Sequence, residues 1–193
     1  MDVRQRLFQY RSYTPIPFLL VMVFFAHPTL MSLIVGLATI LGGESVRLWG
    51  VAIAGSETRT TGPVGGTFLI TTGPFAYVRN PLYVGNMLIY FGVGVMSNAL
   101  FPWLALGALA YFIMQYSFIV SLEEEYLRTT FGETYERYCV AVPRFLPRIS
   151  GYSAPGNPEP DLAWRRGLVS ERRTLQAIGL LTAVLMLIMW LRG

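Results

Sequence analysis

Arg79, Asn80 and Tyr83 in one stretch, and the triplet Glu123-Glu124-Glu125 in another, are the residues of this sequence best equipped for chemistry. The first stretch is Thr71 to Asn86, TTGPFAYVRNPLYVGN; the second is Glu123 to Pro147, EEEYLRTTFGETYERYCVAVPRFLP. What surrounds them in the inventory narrows the reactions. Hydrolysis by a serine or cysteine triad lacks its base, because His27 is the only histidine. Phosphoryl transfer lacks a phosphate-cradling Gly-Lys-Ser/Thr loop. Cys139 is alone, so no internal disulfide forms and a structural zinc site has too few soft ligands. No metal site is expected. Methyl transfer from S-adenosylmethionine needs neither metal nor covalent intermediate, only a nucleophile and a sulfonium methyl held in line. Carboxylates can bind the ribose hydroxyls and ammonium of that cofactor, and an arginine its carboxylate. The inventory permits this reaction without demanding it.

Each stretch sits at one end of an apolar hairpin. Gly73-Pro74 is a turn pair, and Pro81 suits a first helical turn, where no N–H is missed. A span over about Leu82 to Met96 follows, then a tight turn at Ser97-Asn98 and Pro102, then a span over about Phe101 to Leu122. The turn is too short for anything but antiparallel neighbours, so the two stretches meet at one membrane face. Beyond Leu122, Leu127, Phe131, Tyr135 and Tyr138 recur at spacings of three or four, an amphipathic helix. Gly132 interrupts it, which predicts two helical pieces with Glu133 near the start of the second.

The rest of the chain supplies the frame. It is 53% hydrophobic and 13% charged, about half the charge of a soluble domain. That much apolar surface predicts an integral membrane protein. Met1 to Tyr13 is polar and carries Arg4, Arg6 and Arg11, with no signal-peptide pattern. From Ser12 to Gly43 no residue is formally charged; His27-Pro28 breaks this run. A short first span over about Pro15 to Ala26 and a second over about Leu30 to Ala54 result. Glu44 and Arg47 lie three apart on one face of the second span, either as a mutual salt bridge or as part of a polar pocket. Gly55 to Thr72 reads as a loop in which Thr67 to Thr72 could be extended. Ser150 to Asp161 reads as a linker, followed by an interfacial anchor at Trp164, Arg165, Arg166, Arg172 and Arg173 and a fifth span over Thr174 to Leu191. No internal repeat is visible.

All 15 basic residues are arginines. With five spans, only Arg192 falls on the far side and Arg47 within a span; the others share the side of the N-terminus. That asymmetry places the N-terminus and both stretches in the cytoplasm. A basic bias of this kind reports orientation and contact with anionic headgroups, not nucleic acid. The expected architecture is all-α, a polytopic transmembrane helical bundle of about five spans with a cytoplasmic cofactor pocket. Residues 1–70 form an N-terminal two-span hairpin and loop, 71–149 the core, and 150–193 a linker, anchor and fifth span. A bacterial inner membrane is the expected location.

The run GPFAYVRNPLYVGN, a hydrophobic hairpin, and then EEEYLRTTFGETYERYCVAVPRFLP resemble the membrane methyltransferases of the isoprenylcysteine carboxyl methyltransferase and phospholipid methyltransferase superfamily. Those share a G-P-x-x-x-x-R-H-P-x-Y-x-G signature and an E-E-x-x-L-x-x-x-F-G-x-x-Y-x-x-Y signature, with a tail containing Pro and Leu. The resemblance implies that Arg79, Asn80, Pro81, Tyr83 and Gly85 line a pocket for S-adenosylmethionine. It implies that Glu123 and Glu124 are the family's paired acids, and that Gly92 and Gly94 match a G-x-G of the phospholipid branch. Tyr135, Tyr138 and Arg144 fall on the later motif, as cofactor or substrate contacts. Glu123, Glu124 and Arg144 are the candidate catalytic residues. Asn80 stands where the family has histidine; it keeps a hydrogen bond but cannot exchange a proton near neutral pH.

The residues themselves have plainer readings: Gly92 and Gly94 as helix-packing positions, Arg79 as a charge anchor, and the tyrosines as interfacial residues. The implied acceptor is a lipid or lipidated amphiphile. It is first a prenylated cysteine carboxylate and alternatively a phospholipid amine, for which Glu123, Glu124 or a tyrosine would be the base. A membrane module without enzymatic activity and a reductase relative that binds NADPH are the competing classes.

Overall fold

The computed structural model describes residues 2–55, 69–153 and 162–192. They form α1 (Val3–Tyr10), α2 (Pro15–Phe24), α3 (Leu30–Ala54), a 3-10 turn (Gly73–Ala76), α4 (Pro81–Ser97), α5 (Trp103–Ala141) and α6 (Trp164–Arg192). No strand occurs among the described residues, and Leu69 to Thr72 are not extended into one. The rest of the segment expected to be extended, Thr67 and Phe68, lies outside the described residues, as does most of the linker expected after Ser150.

Local chemistry accounts for the helix ends. Thr29 caps α3 with a reciprocal Thr29–Ser32 box, and the α3 bounds match the predicted span. Pro81 occupies the first turn of α4, and Asn98 closes it in the left-handed conformation at φ 52°. Three helices, α3, α5 and α6, are long and apolar enough to cross a membrane, and α2 and α4 are shorter apolar helices. The anchor and fifth span foreseen at the C-terminal end are one continuous helix, α6.

The short helices nonetheless run from one end of the bundle to the other. At one end Arg11, just before α2, lines the same cavity as Glu123. At the other, the backbone N–H of His27 donates to Ser97 O at 2.9 Å, and Arg192 donates to Ala26 O. At 1.5 Å per residue, the 17 residues of α4 are about 25 Å long. The bundle is thin.

Lipid tails are as apolar as leucine, so helices in a bilayer associate by close packing instead of by burial from water. The α3–α4 seam does this with glycine. A Cβ on Gly43 would stand 2.6 Å from Gly85 O, and one on Gly92 2.9 Å from Gly36 O. Gly36, Gly43 and Gly50 on α3 and Gly85 and Gly92 on α4 each recur every seventh residue, the spacing of a left-handed crossing. Around this seam Met22, Ile40, Met96, Phe112, Ile119, Ile178 and Leu185 form the main core. A second cluster of Tyr135, Tyr138 and Val142 sits beyond the end of the apolar part of α5.

Candidate active site

The apolar part of α5, residues 103–122, is about 30 Å long, enough to cross a bilayer core. Glu123 is the first charged residue beyond it. Consecutive residues on a helix point about 100° apart, and the three glutamates accordingly meet different partners. Tyr83 on α4 donates its hydroxyl to Glu123 Oε1 at 2.6 Å. Glu124 is buried and accepts from Arg79 Nη2 at 3.0 Å and, in a fork, from Arg144 Nε at 3.0 Å and Nη2 at 2.5 Å. Glu125 is exposed and pairs with Arg4 of α1 at 2.9 Å.

Arg79 ties the two stretches together. Its Nη1 donates to Cys139 O at 2.8 Å and Val142 O at 3.1 Å, and its backbone N–H to Pro143 O at 2.9 Å. Beside it, Asn80 Nδ2 donates to Arg144 O at 3.1 Å. These bonds require the last part of α5 and the chain after it to come back, and the break at Gly132 (φ 51°, ψ −128°) provides for that. The two helical pieces foreseen around this glycine are present. Tyr138 then donates to Phe75 O at 2.7 Å, closing the second stretch over the turn that starts the first.

A cavity of about 970 Å³ opens beside these bonds, at the upper end of the usual range for ligand pockets. Its polar end is lined by Arg79, Asn80, Pro81, Tyr83, Glu123, Glu124, Tyr135 and Tyr138. Gly85, Gly92 and Gly94 do not line it: they lie against Arg47, Ile40 and Ala105 in helix contacts. Arg144 also stays off the wall and reaches the site through Glu124.

The electrostatics separate the polar groups. Desolvation pushes the Glu123 carboxyl up to about 7, although the Tyr83 hydrogen bond and the charge of Arg11 oppose this. The hydrogen bonds to Glu124 raise the Arg144 pKa, so its guanidinium stays charged. Burial raises Tyr135 and Tyr138, which keeps both hydroxyls protonated.

Several cavity residues were not among the site residues read from sequence. Arg11 precedes α2, and Asn86 and Glu171 join Arg47 in a group on the wall. Arg47 donates to Asn86 Oδ1 at 2.5 Å and to Glu171 Oε2 at 2.6 Å, and it lies 3.5 Å from Glu44. Both readings of the Glu44–Arg47 pair thus hold, since it is an ion pair and Arg47 lines the cavity. Glu171 is fully buried on α6. Its one sequence signal is a single acid within the arginine-rich start of that helix. The cavity's other limb is apolar, walled by Ile16 and Leu19 of α2, Ile89 and Val93 of α4, and Ile178 and Leu181 of α6.

Comparison with known proteins bears on this arrangement. The sequence profile of the phospholipid methyltransferase family matches residues 31–134. The chain is 36% identical over 107 residues to the cobalt-zinc-cadmium resistance protein CzcN of Cupriavidus metallidurans, covering 55% of this chain and 44% of that protein. It is 37% identical over 84 residues to the nickel-cobalt-cadmium resistance protein NccN of Alcaligenes xylosoxydans xylosoxydans (44% of this chain, 38% of the other). Against the protein-S-isoprenylcysteine O-methyltransferase of Schizosaccharomyces pombe it is 33% identical over 84 residues (42% of this chain, 34% of the other). The matches thus span less than half the length of each of these curated relatives. No solved structure matches the chain.

Proposed function

The chain belongs to the phospholipid methyltransferase family, and from that premise we propose that it is a membrane methyltransferase that uses S-adenosylmethionine and modifies a lipid-like amphiphile. One observation carries the reading: Arg79, Asn80 and Tyr83 of the first stretch share a cavity wall with Glu123, Tyr135 and Tyr138 of the second. Its polar end holds Arg79 and lies on the arginine-rich side, which on this reading faces the cytoplasm, with a bacterial inner membrane as the proposed location.

The residues present fit the cofactor. Arg79 Nε is buried and has no hydrogen-bond partner among the described residues, a donor left over beside the cavity. When bound, S-adenosylmethionine supplies a methyl group activated by its sulfonium. Arg79 and Asn80 would hold its charged amino-acid portion, and Phe75, Tyr135 and Tyr138 its flat base. Glu124 and Arg144 position Arg79. Gly85, Gly92 and Gly94 serve the same end indirectly, by letting α4 lie close against α3 and α5.

The apolar limb suits the acceptor's chain, so an amphiphile lodged there presents its polar end to Glu123. An amine acceptor must give up a proton as its nitrogen takes the methyl group. Glu123, with a proton affinity near neutrality and one oxygen held by Tyr83, receives that proton. This favours a phospholipid-type amine. A second reading, methylation of a carboxylate on a prenylated cysteine, is supported by Arg11 and Arg173 on the same wall, cations that would meet a carboxylate.

Incubating membranes with radiolabelled methyl donor, then separating lipid, protein and small-molecule fractions, tests the acceptor. Label in the lipid fraction is expected for the amine, and label in the protein fraction supports the second reading. Titrating purified protein with S-adenosylhomocysteine and NADPH tests the class. Absence of S-adenosylhomocysteine binding sinks the methyltransferase reading; binding of NADPH in its place identifies a reductase.

A further inference from the structure

The segment that closes the polar end of the cavity also carries an outward apolar surface. After Gly132 the chain returns along residues 133–149, held by the Arg79 bonds to Cys139 O and Val142 O. Phe145 packs into the main core. Val140, Leu146 and Ile149 face away from the protein, at 90%, 79% and 102% exposure. Arg148 donates to Ala141 O at 2.9 Å, which sets it and neighbouring Ile149 against the end of α5 that carries Val140.

The depth of this surface follows from hydrogen bonds. The N–H of Arg79 donates to Pro143 O and that of Arg148 to Tyr77 O, at 2.9 and 3.0 Å. Residues 143–148 therefore run beside residues 77–80, immediately before Pro81 opens α4. With its length of about 25 Å, α4 is shorter than the roughly 30 Å hydrocarbon core. Tyr83 in its first turn bonds Glu123, the first charged residue past the roughly 30 Å apolar part of α5, so that turn lies at the level of the lipid headgroups, and so does a segment bonded to the residues just before it. Single exposed apolar residues are ordinary on a protein in water. Three of them at this depth, flanked by Arg137 with a 70% exposed side chain and by Arg148, have the composition of a membrane-surface element.

We infer that residues 137–149 rest on the bilayer, with Val140, Leu146 and Ile149 in the headgroup–acyl boundary and Arg137 and Arg148 toward anionic lipid phosphates. The bilayer then holds Tyr135, Tyr138 and Arg144 in place over the cavity, and an acceptor anchored in the same leaflet meets the site at its own depth. The inference stands on helix lengths and hydrogen bonds and is independent of the reaction proposed above.

The test uses the full chain in phosphatidylcholine vesicles with and without phosphatidylglycerol. In a Cys139→Ser background, Val140→Cys, Leu146→Cys, Ile149→Cys and, as a water-exposed control, Glu133→Cys are labelled with a polarity-sensitive fluorophore. Blue-shifted emission is expected at the first three sites, with several-fold stronger quenching by spin-labelled lipid than at residue 133. Both effects should grow with the anionic fraction and weaken in Arg137→Gln. Equal quenching by aqueous iodide at all four sites overturns the inference. So does shielding from both quenchers, which would mean a second copy or a soluble partner covers the surface. If the labelled variants do not fold, hydrogen exchange of residues 143–149 in the unmodified protein decides: slower exchange on anionic vesicles supports the inference, and unchanged exchange overturns it.

Discussion

Glu123 and Glu124 are consecutive residues on one turn of α5, and they face two different regions of the molecule. Glu124 looks into a region where charge is matched: two guanidiniums, three donors, and carbonyls of the returning segment bonded to Arg79. Its carboxylate has little capacity left for a ligand and much to hold together. Glu123 looks along the cavity wall, where one phenol meets it and desolvation is the largest influence on its proton. The first region is built to stay as it is, and the second to exchange something. On the proposed reading, paired acids that look equivalent on paper divide into a positioning residue and a reacting one.

The sharpest way to break that division is Glu124→Ala. It leaves Arg79 and Arg144 without their buried counter-ion, and losing one side of such a pair costs about 3–5 kcal/mol. Thermal unfolding in detergent should show this loss, along with early proteolysis in residues 133–149. Glu123→Gln, which resembles the protonated carboxyl, should leave the unfolding temperature at wild type or above it. Equal destabilisation by both would erase the distinction.

Activity should invert the order. Glu123→Gln is expected to lower methyl transfer about 10²–10⁴-fold, the usual worth of a positioned base, while binding of S-adenosylhomocysteine persists. Glu124→Gln should weaken that binding, because Arg79 loses its orientation. Wild-type turnover in Glu123→Gln would remove the base assignment and leave the carboxylate acceptor, which needs no base, as the better reading.

The pH dependence separates the same two residues more gently. With Glu123 pushed up to about 7, turnover should rise about tenfold per pH unit below 7 and level off above it, and this limb should vanish in Glu123→Gln. Stability should run the other way. A carboxyl that binds its proton more tightly when folded favours the folded state at low pH. That contribution is complete below about 4.5 and is lost as pH rises through about 7. A turnover profile flat from pH 5 to 8 would show that Glu123 takes no proton in the rate-limiting step.

Much of this was legible in the sequence, for identifiable reasons. The α3 bounds, the α4–α5 hairpin and the break at Gly132 are local matters of proline, glycine and apolar runs. Those signals act over a few residues whatever packs around them. The meeting of Arg79 with Glu124 followed from a turn too short to allow anything but antiparallel helices. What escaped was the azimuth of each glutamate, since a run of three carries no mark of which one faces the cavity. Glu171 escaped for another reason: its partner Arg47 is on α3, 124 residues away, and α6 could have packed elsewhere. Gly85, a pocket position by resemblance, and Gly92, open to both readings, could not be assigned because one small residue serves equally for a ligand's approach and for a helix's. Only the partners across the seam, Gly43 and Gly36, distinguish these uses.

Gly132 offers the smallest effect and a clean way to sharpen the comparison, because it turns the chain back toward Glu124 and touches nothing itself. A Cβ there would meet no atom within 4 Å, yet its φ is 51°. Gly132→Ala therefore introduces backbone strain without a clash, at a cost of about 1–3 kcal/mol. Gly179→Ala on α6 also enters open space but at a helical position, where alanine gains up to about 1 kcal/mol. The strain at 132 should fall on the Arg144–Glu124 side, weakening binding of S-adenosylhomocysteine with a smaller effect on turnover at saturation. The Tyr83–Glu123 pair joins α4 to the part of α5 before the break, so its pH limb should stay in place. A shift of that limb in Gly132→Ala would show that the two glutamates respond as one unit.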